Sequence, residues 1–384
     1  MSARLSDSPL RRSRVATTLA YAVQGLSVAL LVTRTPAIKA ALGLSDTQLG
    51  LLLVAIPVVA VVGTIIAGTL APRIGSSAVL RIAGPIVPAS TVVVGFSDNL
   101  ALSAAALIIF GIALGAADAT MNMQATSVQH AYGRPIISSC FAWLSAASLC
   151  GALLSSAAAA TAMPLGVFFL ACAGVVIPLQ VLAGRHLVTD VRISHSTSPG
   201  QAPWLPLVAI GLGLTCASIL DSSATNWSAV FLTDQVAASD ATGALGYAAY
   251  SVSLLVGQTL VDRLNARFGA VVLIRAGSIL GLIAVITIIT AQTPGRGLLG
   301  FALLGLSVAP FLPLAFTAAA AHDPDRSGRA IARINVFSYV GILLGAPLIG
   351  AVADSFSLRV AFTLLIIAPV VAFAVAKAYR TSGV

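Results

Sequence analysis

Twelve apolar stretches, each long enough to cross a bilayer, succeed one another along this chain with short connections between most of them. They fall near residues 15–37, 47–71, 79–97, 100–126, 136–160, 164–184, 204–231, 240–262, 269–290, 295–319, 329–353 and 358–378. A bilayer core asks for about 20 apolar residues per helix. The ten-residue alternation of a membrane barrel is absent. Charged residues make up 9% of the chain and mean hydropathy is +1.00. A soluble domain carries roughly 25% charged residues, so too few are present to cover a water-facing surface.

The sequence repeats at half its length. Arg73-Ile-Gly75 with Arg81 returns as Arg267-Phe-Gly269 with Arg275, at an offset of 194, and Gly133-Arg134 returns as Gly328-Arg329, at 195. A run rich in Ser, Thr, Pro and Gly between 185 and 203 reads as a linker. It separates an N-terminal bundle, 1–184, from a C-terminal one, 204–384. Of the 21 basic residues, seventeen fall on one side of the predicted layer and four on the other: Arg34, Lys39, Arg296 and Arg359. That bias places both termini in the cytoplasm. With six spans each, the two halves run parallel, related by an axis along the membrane normal. The expected fold is therefore all-α and polytopic: twelve transmembrane helices in two parallel six-helix repeats.

The net charge of +9 does not point to nucleic acid, because the basic residues punctuate apolar segments instead of clustering with exposed aromatics. The four cysteines lie inside apolar stretches without metal-ligand spacing, so neither a zinc site nor a disulfide frame is implied. No metal or cofactor is expected. The N-terminal arginines resemble the start of a signal peptide, but the long run after them reads as a first span.

All twelve acidic residues are Asp. Asp118 lies well inside the fourth stretch, and Asn122 and Gln129 fall within about 40° of it around a helix. An intramembrane carboxylate is costly unless paired, protonated or facing water. Asp118 is thus either a proton or substrate site, or a structural carboxylate bonded to a neighbouring helix near the cytoplasmic end. Asp221 sits roughly 25 Å from the inner end of the seventh span. Ser222, Ser223, Thr225, Asn226 and Trp227 follow it. A cluster so polar is expected to face a cavity; the other reading is a wet outer helix end. Arg34, just before Pro36, could meet an anionic group of a solute or pair with Asp221, or simply reach the outer interface. Gln24, Trp143, Tyr247, Tyr250, Asn335 and Tyr339 could line a central cavity or bond between helices. Pro310 and Pro313 are expected to kink the tenth span. Arg73 and Arg81, and Asp262, Arg263 and Arg267, could form charge pairs between inner helix ends that open during a cycle, or act only as topology signals.

The inner loops are similar to degenerate copies of the loop motif of the major facilitator superfamily, G-x-L-x-D-R-x-G-R-[KR]. The first copy reads Gly68-Thr-Leu70-Ala-Pro72-Arg73-Ile-Gly75-Ser76-Ser77, with Pro72 in place of the Asp. The second keeps Asp262-Arg263 at a shifted spacing. Within that superfamily the chain resembles the YbjJ-type bacterial inner-membrane branch. The stretches that carry this are Arg34-Thr-Pro36-Ala-Ile38-Lys39, Asp118 to Gln124, Gly133-Arg134, and Asp221 ahead of Trp227-Ser228. The branch resemblance implies that three titratable groups are replaced here, by Gln129, Ala142 and Asn226.

The resemblance implies a monomeric secondary transporter of a small organic solute, with protons as possible co-substrate and the lipid bilayer as solvent. The site would lie between the bundles near the midplane. A multidrug or metabolite exporter is the second expectation. The fifth span lacks the Gly-Pro motif of antiporters, although Gly345-Ala-Pro347 occurs in the eleventh. A membrane enzyme or non-transporting sensor is the third, and no nucleophile–base pair supports it.

Overall fold

The computed structural model describes residues 7–43, 46–133, 135–161, 163–188, 204–238, 240–322 and 327–380. Most of the expected linker, together with Arg4 and Arg134, lies outside the described residues.

The chain is helical throughout these segments. The first half contains α1 (Asp7–Thr33), α2 (Thr35–Leu42), α3 (Asp46–Ile74), α4 (Ser76–Phe96), α5 (Leu100–Tyr132), α6 (Ile137–Ala160) and α7 (Leu165–Gly184). The second contains α8 (Trp204–Val236), α9 (Asp240–Phe268), α10 (Ala270–Ile289), α11 (Pro294–Val308), α12 (Phe311–His322), α13 (Ser327–Ser355), α14 (Leu358–Leu364) and α15 (Ile367–Val375). A 3-10 turn at Ala376–Tyr379 follows.

Among the described residues, eleven helices are long and apolar enough to cross a membrane. The remaining expected span, 240–262, is also helical. It is α9, 29 residues long, with Asp240, Asp262, Arg263 and Arg267 along it. The tenth span breaks where expected: α11 ends before Pro310 and α12 begins after it, because Pro310 lacks the N–H that would continue the ladder. Arg34 likewise separates α1 from α2, whose first turn holds Pro36.

The repeated glycines have a conformational reason. Gly75 (φ 92°) and Gly269 (φ 80°) both stand at the junction of two helices in backbone that a side chain rarely adopts. Each lets one span reverse directly into the next. The packing around them repeats too: α3 and α4 flank Gly75 and pack on α5, while α9 and α10 flank Gly269 and pack on α11.

The chain forms two compact units, Met1–Gly133 with Trp143–Ser196, and Arg134–Ala142 with Thr197–Val384. The start of α6 thus groups with the second unit. There Asp262 accepts hydrogen bonds from the backbone N–H of Ser138 (3.3 Å) and Ser139 (3.1 Å), an anion at a helix N-terminus. Phe141 stacks on Phe316 with centroids 6.1 Å apart.

In unit 1, glycine permits close helix contact, as small residues do in membranes. A Cβ at Gly115 would overlap the carbonyl oxygen of Ala60, and one at Gly63 would overlap that of Ile112. Gly115→Val is therefore expected to force α3 from α5, costing about 3 kcal/mol. The purified variant should unfold several degrees below the parent in detergent; an unchanged unfolding temperature would contradict this packing.

Candidate functional site

In each unit a half-buried acidic side chain well inside a span bonds to a side chain of another helix. In unit 1, α5 presents Asp118 and Asn122 on one face toward α1, as the helical spacing requires. Gln24 Nε2 donates to Asp118 Oδ1. The Tyr21 hydroxyl donates to Asn122 Oδ1 at 2.6 Å, and Asn122 Nδ2 donates back to the Asp118 carbonyl at 2.8 Å. Tyr21, Gln24 and Asn122 are buried; Asp118 is half-buried. Gln24 packs beside Gly84 and Gln180, with no room for a water molecule between them. The sequence reading singled out Gln24 but missed Tyr21. Its signal was available: the two are three residues apart, on one face of α1.

In unit 2, the polar run after Asp221 divides between two neighbours. Asp221 turns to α9, where it accepts a hydrogen bond from the hydroxyl of Tyr250, itself fully buried. The rest of the run is used mainly along α13. Thr215, Ser222 and Trp227 donate to the carbonyls of Phe337, Ile342 and Ala346 at 3.0 Å each. Asn226 donates to its own helix, at Ser222 O. Ser222 and Ser223 are buried. Ser222 and Trp227 thus bond to α13 and Asp221 to α9, whereas Thr225 and Asn226 are exposed. Helix carbonyls accept a second bond from hydroxyl or indole donors when a neighbour approaches closely, and Gly341 and Gly345 allow that approach.

Asn335 and Tyr339 lie buried about one turn apart on α13. Trp143 is 60% exposed and Tyr247 46%. Arg34 is buried: its Nη2 donates to Met163 O at 3.2 Å and its guanidinium lies over the Phe168 ring at 5.5 Å. Within unit 1, it therefore anchors the α1–α2 junction to the connection before α7.

The inner-loop residues also have defined places. Arg73 is exposed, whereas Arg81 Nε holds Gly184 O at 2.7 Å, closing the C-terminus of α7. Arg263 and Arg267 are exposed. A further anchor went unassigned in the sequence. The Gln124 amide donates to Ser76 Oγ (2.7 Å) and Val188 O (3.0 Å) and accepts from Val188 N (2.9 Å). It mimics a backbone partner and pins the segment leaving α7. No group of three potential metal ligands occurs among the described residues.

Comparison with known proteins identifies the family. An uncharacterized MFS-type transporter of Yersinia pestis is 30% identical over 349 residues, covering 91% of this chain and 91% of that protein. The chain belongs to the major facilitator superfamily. The family's sequence model matches residues 210–382. Uncharacterized transporter y4wD of Sinorhizobium fredii is 28% identical over 89% of this chain and 91% of its own length. Membrane protein MosC of Rhizobium meliloti is 27% identical over 90% and 85%.

Solved structures agree on the superfamily fold. FucP in its outward conformation superposes with a TM-score of 0.80 at 14% identity, covering 96% of this chain and 99% of FucP. The human organic anion transporter MFSD10 gives 0.75 at 16% identity, covering 96% and 100%. At these identities the likeness concerns the fold. The protein is a multi-pass membrane transporter of the superfamily.

Proposed function

We propose that the protein is a proton-coupled secondary transporter of a small organic solute, with Asp221 as the proton-carrying group and Asp118 as the second candidate. The observation behind this reading is the Asp221–Tyr250 pair. A carboxylate inside a membrane normally needs a cation or several donors. Among the described residues, the side chain bonded to Asp221 is a neutral phenol, so its neutral form is not penalised by a broken ion pair. The phenol can donate to the carboxylate or accept from the carboxylic acid. Loading or releasing a proton therefore rearranges one bond between α8 and α9. Asp118 and Gln24 offer a similar contact in unit 1.

FucP, of the same fold, is a fucose:proton symporter, which supports coupling in this fold but does not transfer the sugar. The seventeen-to-four distribution of basic residues supports a bacterial inner-membrane location with both ends cytoplasmic. We take the monomer as the working unit.

The solute can be sought by thermal stability of the purified chain against a metabolite collection, since a bound ligand stabilises the fold. Any hit is then tested in proteoliposomes enclosing a pH-sensitive dye. Solute addition should move protons with the solute, and a pH gradient should drive its accumulation. Solute flux with no proton movement would reject the coupling.

A further inference from the structure

A groove on unit 2 has no part in the proposed proton site. Helices α9 and α10 diverge from the Gly269 turn; both pack on α11 and make little contact with each other. The wedge between them has a volume of about 460 Å³, a ligand-sized space. Its walls include Leu264 and Phe268 on one side and Val272 and Ala276 on the other, with Pro310 in the floor, and every lining residue is apolar. Phe268 and Val272 remain 50% and 53% exposed. Nothing in the lining could orient a polar solute.

The groove has a length and a charged end. Along α9 it runs from Gly257 to Phe268, about 16 Å at the helical rise. That is about half of a bilayer core, the depth of one leaflet. At the Phe268 end, the Arg267 guanidinium lies 5.2 Å from the Phe268 ring centroid. Arg263 is exposed one turn earlier. The adjacent carboxylate, Asp262, accepts from the Ser138 and Ser139 amides. This end combines an apolar slot of leaflet depth with cations at the interface, the arrangement that holds anionic lipid headgroups.

We propose that this groove binds one anionic phospholipid, an acyl chain lying between α9 and α10 and the phosphate headgroup at Arg267 and Arg263. A spanning helix from another protein would need about twice this length.

Native mass spectrometry of the full-length chain tests this with phosphatidylglycerol and phosphatidylcholine of identical acyl chains. The parent should retain one phosphatidylglycerol in preference to phosphatidylcholine. Replacing both Arg263 and Arg267 by Ala should lower that preference about five-fold per arginine. Ala276→Phe, or Val272→Trp if the first variant unfolds, should fill the slot and remove the bound lipid. Unfolding temperature in lipid-free detergent identifies variants that fold normally. Equal retention of the two lipids by the parent would overturn the proposal, as would undiminished binding to a folded slot-filling variant. A lipid-free dimer dissociated by Ala276→Phe would instead assign the groove to a second copy.

Discussion

Asp221→Asn is expected to abolish accumulation of the solute driven by a pH gradient. For one proton per solute, a gradient of one pH unit supports about tenfold accumulation, equivalent to about 1.4 kcal/mol. An amide cannot carry the proton, so the variant should only equilibrate the solute. Asn still accepts a hydrogen bond from the Tyr250 hydroxyl, so the α8–α9 contact survives and the protein should fold. Solute exchange at equal pH on both sides separates the two effects: exchange should persist while uphill accumulation is lost. Tyr250→Phe keeps the proton carrier and should retain accumulation at a reduced rate. Asp118→Asn is the companion variant. If Asp221→Asn accumulates the solute like the parent and Asp118→Asn does not, the carrier is Asp118; if both accumulate it, the coupling assignment falls.

Arg359→Ala should produce a large loss of stability. The Arg359 guanidinium donates through Nη1 to Ile289 O and through Nη2 to Gln235 O (3.1 Å) and Ala291 O (3.0 Å). These carbonyls lie at or just beyond the C-terminal ends of α8 and α10, where a cation is favoured by unpaired carbonyls and the helix dipole. The same group lies 5.8 Å from the Phe231 ring centroid. Phe231 packs with Phe301 and Phe362 at centroid distances of 6.1 and 4.9 Å. One side chain therefore joins two helix ends and covers an aromatic cluster. Charged hydrogen bonds contribute roughly 1.5–3 kcal/mol each but do not add fully, so the expected loss is about 3 kcal/mol. It should appear as a fall of several degrees in unfolding temperature in detergent. Arg359→Lys retains charge but not the planar fork, and should recover less than half of the loss. Full stability in Arg359→Ala would show that these contacts contribute little.

Arg359 also explains an exception to the charge bias. It is one of four basic residues that the sequence places on the outer side. In the structure Arg34 holds Met163 O, Arg359 binds three carbonyls, and Arg296 Nη2 donates to Thr290 Oγ1 at 3.0 Å. A basic residue bonded to helix ends loses part of its value as a topology signal and gains one as a tie.

Hydropathy and charge determined by themselves that the chain is a helical membrane protein, and the half-length repeat showed where its inner turns lie. Those properties are local: span length follows bilayer thickness, and Gly75 and Gly269 recur because the turn demands positive φ. The same locality made Asp118 and Asp221 visible as costly residues inside apolar runs. Their partners were not visible. Gln24 and Tyr250 stood out as polar residues inside spans, but not as these partners: Gln24 is 94 residues from Asp118, and Tyr250 is 29 residues from Asp221. Nor could the sequence separate Asp221, which turns to α9, from Ser222 and Trp227, which bond to α13. Adjacent residues on a helix point about 100° apart, so neighbours in sequence serve different interfaces. Only the packing of whole helices decides which polar residue stitches the bundle and which carboxylate meets a neutral donor.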